Sequence, residues 1–283
     1  MKLSVLLTTT ILSAALTASA AVPTVYVSIG DNILEYHAGS GEFLGTLGTF
    51  PGVSISPNSN ELTVGPDGAL YTIGNGGIWR TDIETATSSL FVAFGEEVTR
   101  QPGGIAFGDD GFLYVTVGDS LLRYDATTGA FVGVVGTFPG FSSGSFRDDL
   151  TLGPDGDLYT IGSSPTAIWR TDIETATSSP FVVFGEELTA QPGGFVFVGD
   201  SIYISSRDNL LEYDAETGAF LGVVGTFPGA FSGSFLDNLV LGQDGMIYSQ
   251  GPAGIWRINI HSGTATELIN LGGRSGGFAI VFP

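Results

Sequence analysis

Three pairs of oxygen-bearing side chains recur along the chain, each 88 or 89 residues from the next: Asn60-Glu61, Asp148-Asp149 and Asp237-Asn238. Each pair stands just ahead of a short apolar run. Carboxylate and amide oxygens are hard donors, and Ca²⁺ takes roughly six to eight of them at about 2.3–2.6 Å. Glu61, Asp148, Asp149, Asp237 and Asn238 are therefore the candidate metal ligands, with Ca²⁺ the candidate cation. The same side chains are equally suited to capping the amides of loops that lead into a strand, and that reading stays open beside the first.

The other groups able to do chemistry point elsewhere. Histidine most often does acid–base work at neutral pH, and the chain has two. His37 lies in YHAGSGEF, where sister segments read YDATTGAF and YDAETGAF, so it takes the place of Asp125 and Asp214 in a turn. His261 lies in NIHSGTA, aligned with DIETATS, again a turn. Neither is expected at a catalytic centre, and a nucleophilic triad has no histidine to use. Asp67, Asp110, Asp155 and Asp244 sit in Gly-rich turns, and Asp82, Asp125, Asp172 and Asp214 in a second set of turns. Aspartate in such places bonds its own backbone. Arg80, Arg170 and Arg257 each follow a tryptophan and are expected to pair with nearby carboxylates.

The elements that must carry these residues follow from repetition. IWRTDIETATSS occurs at 78–89 and again, unchanged, at 168–179, with a looser copy, IWRINIHSGTAT, from Ile255. Tyr26, Tyr71, Tyr114, Tyr159, Tyr203 and Tyr248 are spaced 45, 43, 45, 44 and 45 apart. Around each tyrosine the order is turn, strand, strand (IWR, LLRY or LLEY), second turn, strand. Asp-Gly and Thr-Gly supply the positive φ of tight hairpins, and alternating apolar residues mark strands. A period of about 44 residues with four short strands per unit predicts a β-propeller. Six tyrosines predict six blades. The chain begins at the second strand of a blade, Thr24–Ile29, and ends in a lone strand, Gly276–Phe282, that matches Gly103–Phe107 and Gly193–Phe197. The terminal strand is therefore expected to close the ring and remove two open edges. Blades alternate in type, one carrying Trp79, Trp169 and Trp256 and the other Tyr36, Tyr124 and Tyr213, so the longer unit is a blade pair. The innermost strands start at the mouth of the channel. The three acidic pairs thus ring the axis there, while the other blades carry Gly103-Gly104, Gly193-Gly194 and Gly276-Gly277. Three long loops, 48–59, 136–147 and 225–236, lead into that ring. Their Phe, Gly and Ser content fits either a binding platform or an apolar plug between blades.

Composition sets the surroundings. Residues 1–20 carry Lys2, an apolar run from Leu3 to Leu16 and Ala18-Ser19-Ala20, the order of a secretory signal, with cleavage expected after Ala20. The apolar run is too short to span about 30 Å of hydrocarbon. Residues 21–283 are expected to form one propeller domain, secreted or periplasmic. The chain has no cysteine and a net charge of −20, so core and backbone ladder hold it without disulfides. Lys2 is its only lysine. Such a surface repels phosphate backbones and anionic lipid, which excludes nucleic-acid and membrane partners.

The phrases x-P-G-G-[IF]-[AV]-F, G-x-D-G-x-[IL]-Y and D-x-x-T-G resemble NHL-type propellers. They also resemble the wider six-bladed superfamily that includes lactonase-like enzymes and soluble quinoprotein sugar dehydrogenases. That resemblance covers residues 21–283 and implies the all-β, six-bladed fold. Lactonase-like members hold a channel metal with Glu, Asn and Asp, chemistry similar to that of the ring, though no local motif matches. Function reads as a non-catalytic binding or scaffold propeller, a monomer with a protein or carbohydrate ligand at the channel mouth. The alternative is a metal-dependent hydrolase or lactonase using Glu61, Asp149 and Asn238.

Overall fold

Asp-Gly and Thr-Gly turns cut this chain into strands of three to seven residues, too short to span more than one edge of a blade. A computed structural model describes residues 23–49, 62–74, 76–100, 102–137, 150–163, 166–231, 238–273 and 277–282. Residues 1–20, read from sequence as a secretory signal, and the candidate ligands Glu61, Asp148, Asp149 and Asp237 lie outside them. Blade 1 contains β1 (Thr24–Ile29), β2 (Asn32–His37) and β3 (Phe43–Thr49). Blade 2 is β4 (Leu62–Val64), β5 (Leu70–Gly74), β6 (Gly77–Asp82) and β7 (Thr87–Ala93). Blade 3 is β8 (Pro102–Phe107), β9 (Phe112–Val117), β10 (Ser120–Asp125) and β11 (Phe131–Thr137). Blade 4 is β12 (Leu150–Leu152), β13 (Leu158–Ser163), β14 (Thr166–Asp172) and β15 (Thr177–Val183). Blade 5 is β16 (Pro192–Val198), β17 (Ser201–Ser206), β18 (Asn209–Asp214) and β19 (Phe220–Thr226). Blade 6 is β20 (Leu239–Leu241), β21 (Ile247–Gln250), β22 (Gly254–Asn259) and β23 (Thr264–Asn270). The last strand, β24 (Phe278–Val281), returns to pair antiparallel with β1, Val27 opposite Phe278 and Thr24 opposite Val281. Six four-stranded antiparallel sheets result, and the closure is the one expected from sequence.

Each sheet is covered on both faces by its neighbours, so its central strands are apolar on both sides. In β1, Val25 and Val27 pack toward blade 6 with Tyr248, Ile255 and Phe278, whereas Tyr26 packs toward blade 2 with Leu62 and Leu70. Six such clusters stand between consecutive blades. The period-2 pattern of one strand thus feeds two interfaces, which is why near-continuous apolar runs appear here without a parallel sheet.

The innermost strands alternate in length. Blades 2, 4 and 6 have three-residue inner strands, whereas β8 and β16 run six and seven residues and contain a register shift at Gly103-Gly104 and Gly193-Gly194. A hydroxyl on the second strand holds each irregular peptide. Gly104 N–H donates to Thr116 Oγ1 at 2.8 Å, Gly194 N–H donates to Ser205 Oγ at 3.0 Å, and Ser28 Oγ donates to Gly277 O at 3.1 Å. The matching second-strand positions in the tryptophan blades are Ile73, Ile161 and Gln250. Glycine pair and hydroxyl go together because a bulge frees a peptide that something must bond.

Candidate functional site at the channel mouth

The residue opposite each repeat tyrosine on the innermost strand is Ala279, Thr63, Ala106, Thr151, Val196 or Val240 in blades 1 to 6. The innermost strands of blades 2 to 6 line a cavity of about 300 Å³ whose wall includes Thr63, Thr151, Val196, Asn238 and Val240. That volume is at the small end of ligand pockets, about 300–1,000 Å³. No described residue of the wall carries a charge. Asn238, half-buried and one residue ahead of β20, is the one predicted ring member among the described residues, and it lines the cavity. Cross-strand register aligns Asn238 with Gly104 and Gly194, the bulge positions of blades 3 and 5. Among the described residues, no three His, Asp or Glu side chains come together in a way that could hold a metal ion.

Both histidines stay in turns. His37 Nδ1 accepts from the N–H groups of Gly39 and Ser40 at 3.1 and 2.9 Å, doing the work that Asp125 and Asp214 do in the sister turns. The His261 N–H donates to Asn259 Oδ1 at 3.0 Å. Asp82, Asp125, Asp172 and Asp214 each accept the N–H three residues on. The threonine hydroxyl first at Asp125 and Asp214, and the threonine N–H first at Asp82 and Asp172, hold these carboxyls below the usual aspartate range.

The Gly-rich-turn aspartates do more than bond backbone. Tyr71, Tyr114, Tyr159 and Tyr248 donate their hydroxyls to Oδ2 of Asp67, Asp110, Asp155 and Asp244, four residues earlier. In those four blades the residue directly across the strand from the tyrosine is an arginine: Arg80, Arg123, Arg170 or Arg257. Arg80 Nε sits 2.7 Å from Asp67, Arg170 Nη2 sits 2.8 Å from Asp155 and Arg257 Nη2 sits 2.6 Å from Asp244. Arg123 stacks over Phe112 instead, 4.5 Å from the ring centroid. Blades 1 and 5 lack the turn aspartate, having Val22 and Gly199 at that position. There the cross-strand residue becomes the acid. Tyr203 donates to Glu212 Oε1 at 2.9 Å, and Glu35 faces Tyr26. Every repeat tyrosine therefore faces a carboxylate, supplied by the turn in blades 2, 3, 4 and 6, with an arginine bonded to it in blades 2, 4 and 6, and by the neighbouring strand in blades 1 and 5. Burial first, then the adjacent carboxylate, pushes Tyr26 and Tyr71 up to about 12. Burial raises the Asp67 carboxyl, but the hydrogen bonds from Arg80, Ala69 and Tyr71 outweigh it and leave Asp67 below its ordinary value.

Two glutamates absent from the sequence reading fasten blade to blade. Glu97 Oε1 accepts from Gly95 N–H at 3.0 Å and from the Tyr124 hydroxyl of the next blade at 3.1 Å. Glu187 does the same with Gly185 and Tyr213, at 2.7 and 3.0 Å. Their only sequence signal is the repeated G-E-E, which names no partner. The loop after β19 settles one alternative for its described part. Phe227 and Phe231 are buried between blades 5 and 6 with Ala230, and Ser249 Oγ bonds Ala230 O at 2.8 Å. This segment is a plug, not a platform.

No family model and no curated protein matches the chain. Solved structures do. The propeller is similar to a chain of a nidogen/laminin complex, at 12% identity over 92% of this chain and 98% of that one, with TM-score 0.70. It is similar to a protein of unknown function from Bacteroides caccae, at 10% identity over 93% and 100%, with TM-score 0.67. Virginiamycin B lyase from Staphylococcus aureus aligns over 77% of this chain and 72% of that one, at 15% identity and TM-score 0.54. These likenesses place the chain in the six-bladed propeller fold and, at such identities, show the fold alone.

Proposed function

We propose that this chain is an exported, non-catalytic binding propeller that seats a protein or carbohydrate ligand at the channel mouth. The observation that carries the reading is that no described residue of the channel wall carries a charge. Propeller chemistry needs titratable groups where the channel admits substrate. Here the His37 imidazole is engaged in its turn, His261 lies in another turn, and Asp67, Asp155 and Asp244 are engaged by tyrosine hydroxyls. The nidogen neighbour is named for a complex between proteins, a use of the fold that agrees with a binding role by analogy. Export rests on the leader-like composition of residues 1–20.

A second reading keeps a place because Asn238 lines the cavity. On it, Glu61, Asp149 and Asn238 would hold Ca²⁺, which would supply a Lewis acid for hydrolysis of an ester or lactone. One experiment separates the two. Purified protein is assayed on lactone and ester substrates with millimolar Ca²⁺ and with chelator, beside thermal melts in Ca²⁺ and in Na⁺ of matched ionic strength. The binding reading expects no Ca²⁺-dependent turnover, whatever the melts show. Turnover that requires Ca²⁺ and falls in Asp149→Asn overturns it in favour of the hydrolase.

A further inference from the structure

The outermost strands of the three tyrosine blades present an apolar edge that the ring does not use. β3, β11 and β19 read FLGTLGT, FVGVVGT and FLGVVGT, with neither a charge nor a proline. Each is the last strand of its sheet and pairs on one side only. Phe43 and Leu44, Phe131 and Val132, and Phe220 and Leu221 are between 43% and 56% exposed. Blades 4 and 6 instead blunt their outermost strands with Pro180 and Glu267. The open edges are also rigid. Phe43, Phe131 and Phe220 lean on Tyr36, Tyr124 and Tyr213 of the adjoining strand, with ring centroids 5.3–5.4 Å apart. A register shift leaves Leu44, Val132 and Leu221 as extra residues with no partner across the strand.

The next residue is a glycine in all three, and what stands opposite it differs. Gly45 faces Glu35, Gly222 faces Glu212 and Gly133 faces Arg123. A carbon added to Gly45 would meet only Glu35 Oε2, at 3.7 Å, and one added to Gly222 would meet nothing within 4 Å. Each glycine is thus a gap in the edge, and in blade 1 a half-buried carboxylate stands beside the gap. Glu35 also faces Tyr26, but a carboxylate accepts more bonds than one hydroxyl supplies. Exposed Glu42 and Glu216 lie in the turns just ahead of these two strands. Further along β3, a carbon on Gly48 would lie 3.4 Å from Ala86 O of blade 2, so the free stretch is Phe43–Thr46.

We propose that this free edge of blade 1 docks an extended segment of a basic partner protein, its apolar side chains on Phe43 and Leu44 and a lysine or arginine reaching Glu35 over Gly45. Blade 5 repeats the site with Phe220, Leu221, Gly222 and Glu212. A strand added to a sheet edge gains main-chain hydrogen bonds, and its alternate side chains supply the specificity. Charge selects the occupant. The chain's net charge of −20 draws a cationic segment and repels an acidic one. A second copy of this chain would bring that same charge, with Glu35 and Glu42 set against their like. Blade 3 has the apolar pair but sets Arg123 at the gap, so it refuses a cation and serves as a control inside the molecule. The edges lie on the perimeter, and the proposal is independent of the reading given for the channel mouth.

The test titrates ¹⁵N-labelled protein with the blocked peptide Val-Lys-Val-Lys-Val through about 10 mM, a range that reports millimolar affinity. Val-Glu-Val-Glu-Val and Val-Ser-Val-Ser-Val are the controls, at matched ionic strength. The lysine peptide is expected to give saturable amide shifts at Phe43–Thr46 and Phe220–Val223 and none at Phe131–Val134, and the controls none at all. Gly45→Val closes the gap without changing charge, with a residue that suits a strand, and Glu35→Gln removes the acceptor while keeping its shape. Each should weaken binding at blade 1 about tenfold, the effect of roughly one charge-assisted contact, and leave blade 5 unchanged. Equal shifts at Phe131–Val134, or unchanged affinity at blade 1 in either variant, would mean diffuse attraction to an acidic protein and overturn the proposal. An equal response to the glutamate or serine peptide overturns it too. Concentration-dependent shifts at Phe43–Thr46 without peptide would assign the edge to a second copy of the chain, and so overturn it as well.

Discussion

Removing residues 277–283 tests whether the ring is held shut by its last strand. β24 gives β1 four cross-strand pairs, and Gly277 O accepts both from Ser28 N–H at 2.9 Å and from Ser28 Oγ at 3.1 Å. Phe278 is 0% exposed and packs against blade 6, while Ala279, 4% exposed, packs toward blade 2. Truncating a buried phenylalanine costs about 3–5 kcal/mol. A domain has only about 5–15 kcal/mol in total, so Phe278→Ala alone should remove a large share. The deletion adds the lost ladder and uncovers Val25 and Val27, both 0% exposed, and should leave no stable ring. Phe195→Ala is the matched control, because Phe195 stands across from Ile204 as Phe278 stands across from Val27. Urea unfolding followed by tryptophan fluorescence gives the energies, and hydrogen exchange at Thr24–Ile29 reports the closure itself. Phe278→Ala and Phe195→Ala should cost similar amounts, and only the former should speed exchange in β1. A truncated protein with an unchanged urea midpoint, or a Phe278→Ala cost below about 1 kcal/mol, would refute the closure argument.

Three further outcomes are expected. A double-mutant cycle of Glu187→Ala with Tyr213→Phe should show a coupling of about 0.5–1.5 kcal/mol across blades 4 and 5, and additive urea energies would mean that this contact fastens nothing. The eight tyrosines Tyr26, Tyr71, Tyr114, Tyr124, Tyr159, Tyr203, Tyr213 and Tyr248 have raised pKa values, by burial first and then by a neighbouring carboxylate. A folded pKa above the unfolded one gives stability that is full below about pH 10 and lost as pH rises through the folded values. Absorbance near 295 nm should therefore show phenolate appearing together with unfolding above pH 10; free titration of folded tyrosines at pH 10 would contradict the pairing. If the chain is exported as proposed, mass spectrometry of secreted material should find Ala21 at the N-terminus, and intact Met1 there would count against it.

The sequence alone was enough for the strand count, the blade count and the closing strand, because each depends on local signals. Asp-Gly and Thr-Gly turns fix where strands end, period-2 burial fixes which residues face neighbours, and a lone terminal strand can only complete a blade that lacks one. The positions of His37 and His261 were legible for the same reason, since a turn can be read from its few residues. Asn238 lines the channel where its place before an innermost strand put it, whereas Glu61, Asp148, Asp149 and Asp237 fall outside the described residues. What local signals could not carry was partnership across strands and blades. The exchange between turn aspartate with arginine and strand glutamate appears only when register sets Tyr203 opposite Glu212 and Tyr71 opposite Arg80. Glu187 finds Tyr213 26 residues away on the next blade, and Phe227 and Phe231 choose the inter-blade core over solvent because blade 6 presents an apolar face to them. Arg257 reads like Arg80 and Arg170 in the sequence. Only the packed blade shows that its Nε has been left without an acceptor, because satisfaction of a buried donor depends on every group around it and not on its own neighbours in the chain.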